Sequence, residues 1–235
     1  FSWTDGLPPG EPFMAFVWNV EPHYPHRWVG MPKEIEEADV ATRFRAAIEH
    51  DDRLLGDLYD GLASRGLDED TLLVVVGDHG QGLGRGGRHY HRFESLLVRE
   101  DATQIPLVFV HGSLPEGVTV VDTPATLADL YSTLLDLVGV EVPEGVDGAS
   151  LAREYQPRVS VSRAITWWPL AARAGRFKLV IDSPDDPPEL YDLEADPWET
   201  RDVSGRHEEV TRALWAYLEA TTTRLREEDP SFALF

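Results

Sequence analysis

The stretch Thr71-Leu-Leu-Val-Val-Val-Gly-Asp-His-Gly80 decides how this chain is read. Leu72 to Val76 is a continuous apolar, β-branched run, the pattern of a strand covered on both faces. It stops at Gly77, and a carboxylate and an imidazole, Asp78 and His79, follow at once. In open α/β sheets ligands sit beyond the carboxyl ends of the strands. An Asp-His pair there, leading into the glycine-rich stretch from Gly80 to Arg92, could bind a divalent cation. A hard ion such as calcium prefers the carboxylate, whereas imidazole suits softer metals. A plainer role fits the same residues: Asp78 caps the loop and His79 is solvated.

Outward from this stretch the periodicity alternates between strand and helix. Pro12 to Val20 is an apolar run with the length of a buried strand, broken by Glu21-Pro-His-Tyr-Pro-His26. From Lys33 to about Ser64 apolar residues recur at three- and four-residue steps (Phe44, Ala47, Ile48, Leu54, Leu55, Leu58, Leu62), and Gly66 is the expected stop. Ile105 to Val110 reads as the next strand. Asp122-Thr-Pro124 is expected to open a helix with an apolar face of Leu127, Leu130, Tyr131, Leu134, Leu135 and Val138, ended by Gly139. Strand, helix and strand in that order predict an α/β core with a parallel or mixed sheet and flanking helices. After about residue 150 the character changes. Short strands over 158–166, 177–182 and 189–193, then an amphipathic helix over 207–226, predict a small antiparallel α+β subdomain. The expected division is therefore 1–150 and 151–235.

Composition narrows the function classes. The 235 residues carry a formal charge of −21, and only two of the basic residues are lysines, Lys33 and Lys178. Such a balance repels nucleic acid and anionic membranes. It suits a protein hydrated in concentrated salt, where long-range repulsion is screened, so a halophilic source is an expectation. No apolar run approaches a membrane span. The first residue is Phe1 rather than Met, and the chain is read as a soluble fragment, cytoplasmic or exported, with any signal peptide upstream. There are no cysteines, which excludes disulfides and thiolate metal sites. Against this acidic background Arg85, Arg88, His89, His91 and Arg92 crowd into eight residues, a local positive charge of the kind an anionic substrate needs. Paired with nearby carboxylates, they would form an ordinary solvated loop. His23 and His26 flank a proline turn, and either could protonate a leaving oxygen, though lone loop histidines are more often surface residues.

The ordered set of motifs resembles the sulfatase family of the alkaline phosphatase superfamily. Pro12-Phe-Met-Ala-Phe-Val-Trp-Asn-Val-Glu-Pro-His-Tyr-Pro25 resembles the segment in which a strand leads to a histidine facing the substrate. Thr71 to Gly80 is similar to the strand ending in Asp-His-Gly or Asp-Asn-Gly. Ile105-Pro-Leu-Val-Phe-Val110, Val121-Asp-Thr-Pro124, Asp129 to Leu137, Val146-Asp-Gly-Ala-Ser-Leu151, Phe177-Lys-Leu-Val180 and Glu189 to Arg201 follow in the family's order. The resemblance implies that Asp78 and His79 bind a divalent metal, expected to be calcium. It also implies that His23 lies near the sulfate and leaving oxygen, and that His91 or Arg92 stands where the family usually has a sulfate-contacting lysine. Residues 1–150 would be the C-terminal part of the catalytic core.

One departure is large. The family's paired-aspartate motif and its Cys- or Ser-x-Pro-x-Arg motif, whose first residue becomes formylglycine, are absent from these 235 residues. The expected function is a metal-dependent hydrolase of anionic sulfate esters, small molecules or glycans, inactive as this chain alone. Two other functions stay open: a phosphoesterase, phosphonate hydrolase or phosphotransferase of the same superfamily, and a non-catalytic anion- or glycan-binding subunit.

Overall fold

The computed structural model describes residues 4–6, 8, 10–82, 98–114, 117, 119–121, 124–154, 156–164 and 168–228. The chain forms two compact units, residues 1–75 with 108–116 and residues 76–107 with 117–235.

In the first unit, helix α1 (Lys33–Glu36) is followed by the long helix α2 (Val40–Ala63). The single helix expected over 33–64 is broken because Asp39 starts a new one: its carboxylate accepts the Thr42 amide at 2.8 Å, satisfying a donor that helix geometry leaves unpaired. Gly66 ends α2 as expected, at φ 65°, with the Leu67 amide reaching back to the Leu62 carbonyl at 3.1 Å. Strands β1 (Leu73–Val76) and β2 (Leu107–Val110) are hydrogen-bonded neighbours, with helix α3 (Glu100–Thr103) between them in sequence. The strand expected over 12–20 is not formed. Those residues form no ladder, and Met14, Phe16 and Trp18 stand 86%, 85% and 76% exposed. An apolar run becomes a strand only where a neighbour takes its backbone groups, which sequence pattern alone does not supply.

The second unit contains α3, helix α4 (Leu127–Leu137), strands β3 (Val159–Arg163), β4 (Leu170–Ala174), β5 (Phe177–Ile181) and β6 (Glu189–Asp192), and helix α5 (Glu208–Glu228). α4 begins after Thr126 rather than at Asp122-Thr-Pro124, because Asp129 Oδ2 takes the Thr126 amide at 2.6 Å; Asp122 and Thr123 lie outside the described residues. Its buried side is polar (Asp129, Ser132 and Thr133), while Leu127, Tyr131 and Val138 of the expected core face are exposed. The reason is the 148–151 segment, which docks by hydrogen bonds. Ser132 Oγ donates to Gly148 O at 2.9 Å, Ala149 N–H to Asp129 Oδ1 at 2.9 Å, and Leu151 N–H to Thr133 Oγ1 at 2.9 Å. Arg158 pairs with the same fully buried Asp129. Only glycine fits at 148, since a Cβ there would lie 1.9 Å from the Ala128 carbonyl oxygen.

β3 to β6 form an antiparallel sheet in sequence order. β4, Leu-Ala-Ala-Arg-Ala, has weak strand propensity and was not expected; pairing on both sides holds it. Alternation along the strands gives the sheet two faces, and both are covered. Leu170, Ala172, Leu179, Ile181 and Leu190 pack with Leu214 and Leu218 of α5. On the opposite face Ala171, Val180, Tyr191 and Leu193 pack against Val98, which is 0% exposed.

Candidate metal-binding turn and histidine loop

β1 delivers Asp78 and His79 into a short turn. Gly77 N–H donates to the Pro106 carbonyl at 3.2 Å, and Gly80 N–H to the Ala102 carbonyl at 2.7 Å, so the turn is tied down on both sides. Gly80 has no room for a side chain: a Cβ would sit 2.4 Å from Asp101 O. Asp78 Oδ1 accepts the His79 amide at 2.9 Å. His79 Nδ1 lies 2.7 Å from Gly80 O, and because a carbonyl only accepts, Nδ1 carries the proton and Nε2 presents its lone pair. Nε2 and Asp78 Oδ1 are 3.9 Å apart, a separation that two ligands about 2.3–2.6 Å from one hard cation can span. Asp78 and His79 are both exposed, at 80% and 46% of their side chains. The pair thus fits part of a divalent-cation site, and the carboxylate fits a hard ion. Among the described residues no group of three or more His, Cys, Asp or Glu converges to complete a coordination sphere.

His23 belongs to the other compact unit, where the 21–26 turn follows the extended 12–20 segment. Its two histidines differ sharply. His26 is fully buried at φ 61°, with Nδ1 2.6 Å from Pro22 O and its ring edge-on to Phe44 at 5.2 Å. His23 is exposed, its Nδ1 2.8 Å from Tyr24 O, which again leaves Nε2 as the unprotonated nitrogen of the neutral ring. Of the two, His23 is the one open to solvent.

α2 fixes this loop through contacts that sequence reasoning missed. Asn19 Nδ2 donates to Asp51 Oδ1 at 2.6 Å, His50 Nε2 meets Glu21 Oε2 at 3.1 Å, and Trp28 stacks on His50 with centroids 4.8 Å apart. Arg43 donates to the Pro25 carbonyl at 3.3 Å. Burial raises the Asp51 carboxyl above its ordinary value, opposed by the Asn19 hydrogen bond. The signal available in sequence was a polar stripe, Arg43, His50 and Asp51, on an otherwise amphipathic helix. His91 and Arg92 lie outside the described residues.

Comparison with known proteins adds the following. Residues 5–140 match the family described as Sulfatase. The chain is 27% identical over 202 residues to arylsulfatase K of Xenopus laevis, covering 77% of this chain and 37% of that protein. It is 31% identical over 170 residues to choline-sulfatase of Rhizobium meliloti (strain 1021), covering 68% of this chain and 32% of that one. The chain therefore spans about a third of the length of these relatives. Among solved structures, a 2-O GAG sulfatase superposes with TM-score 0.69 at 22% identity, over 83% of this chain and 45% of that one. The phosphonate monoester hydrolase of Silicibacter pomeroyi superposes with TM-score 0.57 at 28% identity, over 80% and 40%. The α/β architecture is thus that of sulfatases and the alkaline phosphatase superfamily. With more than half of its length matched, the chain belongs to the sulfatase family.

Proposed function

We propose that this chain is part of a metal-dependent sulfuric ester hydrolase acting on an anionic sulfate ester, a small molecule or a glycan. The observation that carries the reading is the Asp78–His79 turn: an exposed carboxylate beside an imidazole whose Nε2 is left bare by the Nδ1 bond to Gly80. Asp78 and His79 would hold the cation, with calcium favoured by the hard carboxylate oxygen. When bound, a divalent cation neutralises charge on the sulfate oxygens and on the nucleophile. His23, protonated at Nε2, would donate a proton to the leaving oxygen. The His91/Arg92 region would stabilise negative charge on the sulfate.

The Cys- or Ser-x-Pro-x-Arg motif has no counterpart in these 235 residues, so the chain by itself is expected to give no turnover. We also keep 1–150 and 151–235 as catalytic-core part and small C-terminal subdomain. Likeness to a phosphonate monoester hydrolase at 28% identity favours phosphoryl chemistry as the second reading.

His23→Ala in the intact protein tests the proton-donor role. The reading predicts a loss of about a hundredfold or more on alkyl sulfates, whose leaving groups need protonation, and little loss on 4-nitrophenyl sulfate. Equal effects on both substrates would remove His23 from that role.

A further inference from the structure

Strand β5 places an ammonium where a sheet core is expected. Lys178, in Phe-Lys-Leu-Val-Ile, is 2% exposed and is one of only two lysines in the chain. Its cross-strand partner on β4 is Arg173, so two cations stand opposite one another on one face, an arrangement that repels unless anions intervene. They do. Glu100, at the first turn of α3, places Oε1 2.8 Å from Lys178 Nζ and Oε2 3.3 Å from Arg173 Nη1. Glu199 places Oε1 3.1 Å from Lys178 Nζ, and its Oε2 accepts the Glu100 amide at 2.9 Å. Thr103, at the last turn of α3, lies 3.3 Å from the same ammonium. Glu199 holds this post at φ 50°, a left-handed conformation unfavourable for a side chain other than glycine. Beside this cluster Arg99 bonds Asp182 at 2.6 Å and Glu189 at 3.1 Å.

The segment gripped in this way has a second contact. Ala102, on α3, offers its carbonyl to the Gly80 amide at 2.7 Å, and the Gly80 backbone lies so close to Asp101 that no side chain fits. Gly80 in turn takes the Nδ1 bond that fixes the His79 ring. α3 has four residues, too few to be a stable helix on its own, so its shape and place depend on what grips it.

We propose that Lys178 is a positioning residue for the Asp78–His79–Gly80 turn, acting through Glu100, Glu199 and α3. The C-terminal sheet is on this account a working part of the site and not an appendage. The importance of that turn rests on the metal reading above; the mechanical coupling does not.

Amide hydrogen exchange in the metal-free chain tests the coupling. Lys178→Met keeps length and removes the charge. The double variant Lys178→Met/Glu199→Gln also removes a carboxylate, leaving the Arg173–Glu100 pair balanced, so it remains a folded test if the single variant does not. The proposal predicts that in the double variant the melting temperature recovers and the β4 and β5 amides keep their protection, while the Gly80 amide exchanges roughly tenfold or more faster than in the wild type. Wild-type protection of Gly80 in either folded variant would overturn it, since charge balance alone would then account for the lysine. Calcium titration of Asp78→Asn decides the metal reading separately, so failure of one is not mistaken for failure of the other.

Discussion

His79 shows how one hydrogen bond can select a tautomer. Its Nδ1 proton is committed to the Gly80 carbonyl, so the tautomer that bares Nε2 is the one the fold selects. Asp78 contributes the charge and, by accepting the His79 amide, also shapes the turn. These two duties can be separated. Asn at position 78 keeps an oxygen for the amide and loses the negative charge. In the intact protein Asp78→Asn should weaken calcium binding by at least roughly tenfold while leaving the melting temperature nearly unchanged, because ligand charge sets affinity for a hard cation. Isothermal titration alongside a thermal melt checks both halves. At the same scale sequence could propose His23 and His26 equally, since nothing in a Pro-x-x-Pro turn says which ring is enclosed. Phe44, eighteen residues on, makes the distinction by packing against His26.

Between elements, polar contacts do work that the hydrophobic pattern does not announce. The junction of α4 with the segment leading to β3 is an example. Arg153 donates to both oxygens of Asp136, at 2.9 and 2.5 Å, and Ser150 adds a bond of 2.7 Å. The Arg153 hydrogen bonds, then Ser150, hold the Asp136 carboxyl down at about 2, against an ordinary 3.8. A depressed carboxyl contributes its stabilisation fully above the ordinary value and loses it as pH falls toward about 2. Carbon-13 titration of Asp136 should therefore give a midpoint near 2 in the wild type. Arg153→Ala should shift that midpoint upward, toward 3.8; an unmoved midpoint would show that Arg153 is not the cause.

Much at this scale was legible in the sequence. β1, β2 and β5 declare themselves by apolar runs, β6 as a short stretch set off by turns, and α2, α4 and α5 by helical spacing, with glycine stops at Gly66 and Gly139 after α2 and α4. Other parts were not. β4 is alanine-rich and becomes a strand only between β3 and β5, and the 12–20 run has strand composition but no partner strand among the described residues. α4 shows the same limit from the other side. Its apolar spacing predicted the helix, but a buried Asp129 with three kinds of donor decides which face is covered.

Over the whole molecule charge is the dominant feature. A formal −21 spread over 235 residues makes the folded state repel itself in dilute buffer, and salt screens that repulsion. If the chain comes from a halophile, its melting temperature should rise by roughly 5 °C or more between dilute buffer and molar KCl. Equal stability in both would remove the halophilic expectation. The same charge sets off the basic cluster at 85–92, which the sequence alone singles out. Fold and family follow from the ordered motifs; the nature of the ester does not, because related folds carry both sulfate and phosphonate hydrolysis.

If Asp78 and His79 hold the cation of a sulfate ester hydrolase, turnover must depend on both the metal and the carboxylate. The most direct measurement is turnover of 4-nitrophenyl sulfate and 4-nitrophenyl phenylphosphonate by the intact protein, before and after chelation and after calcium is restored. Sulfate hydrolysis should be lost on chelation, return with calcium and be abolished in Asp78→Asn. Preference for the phosphonate, or sulfate hydrolysis that survives both chelation and Asp78→Asn, would contradict this assignment.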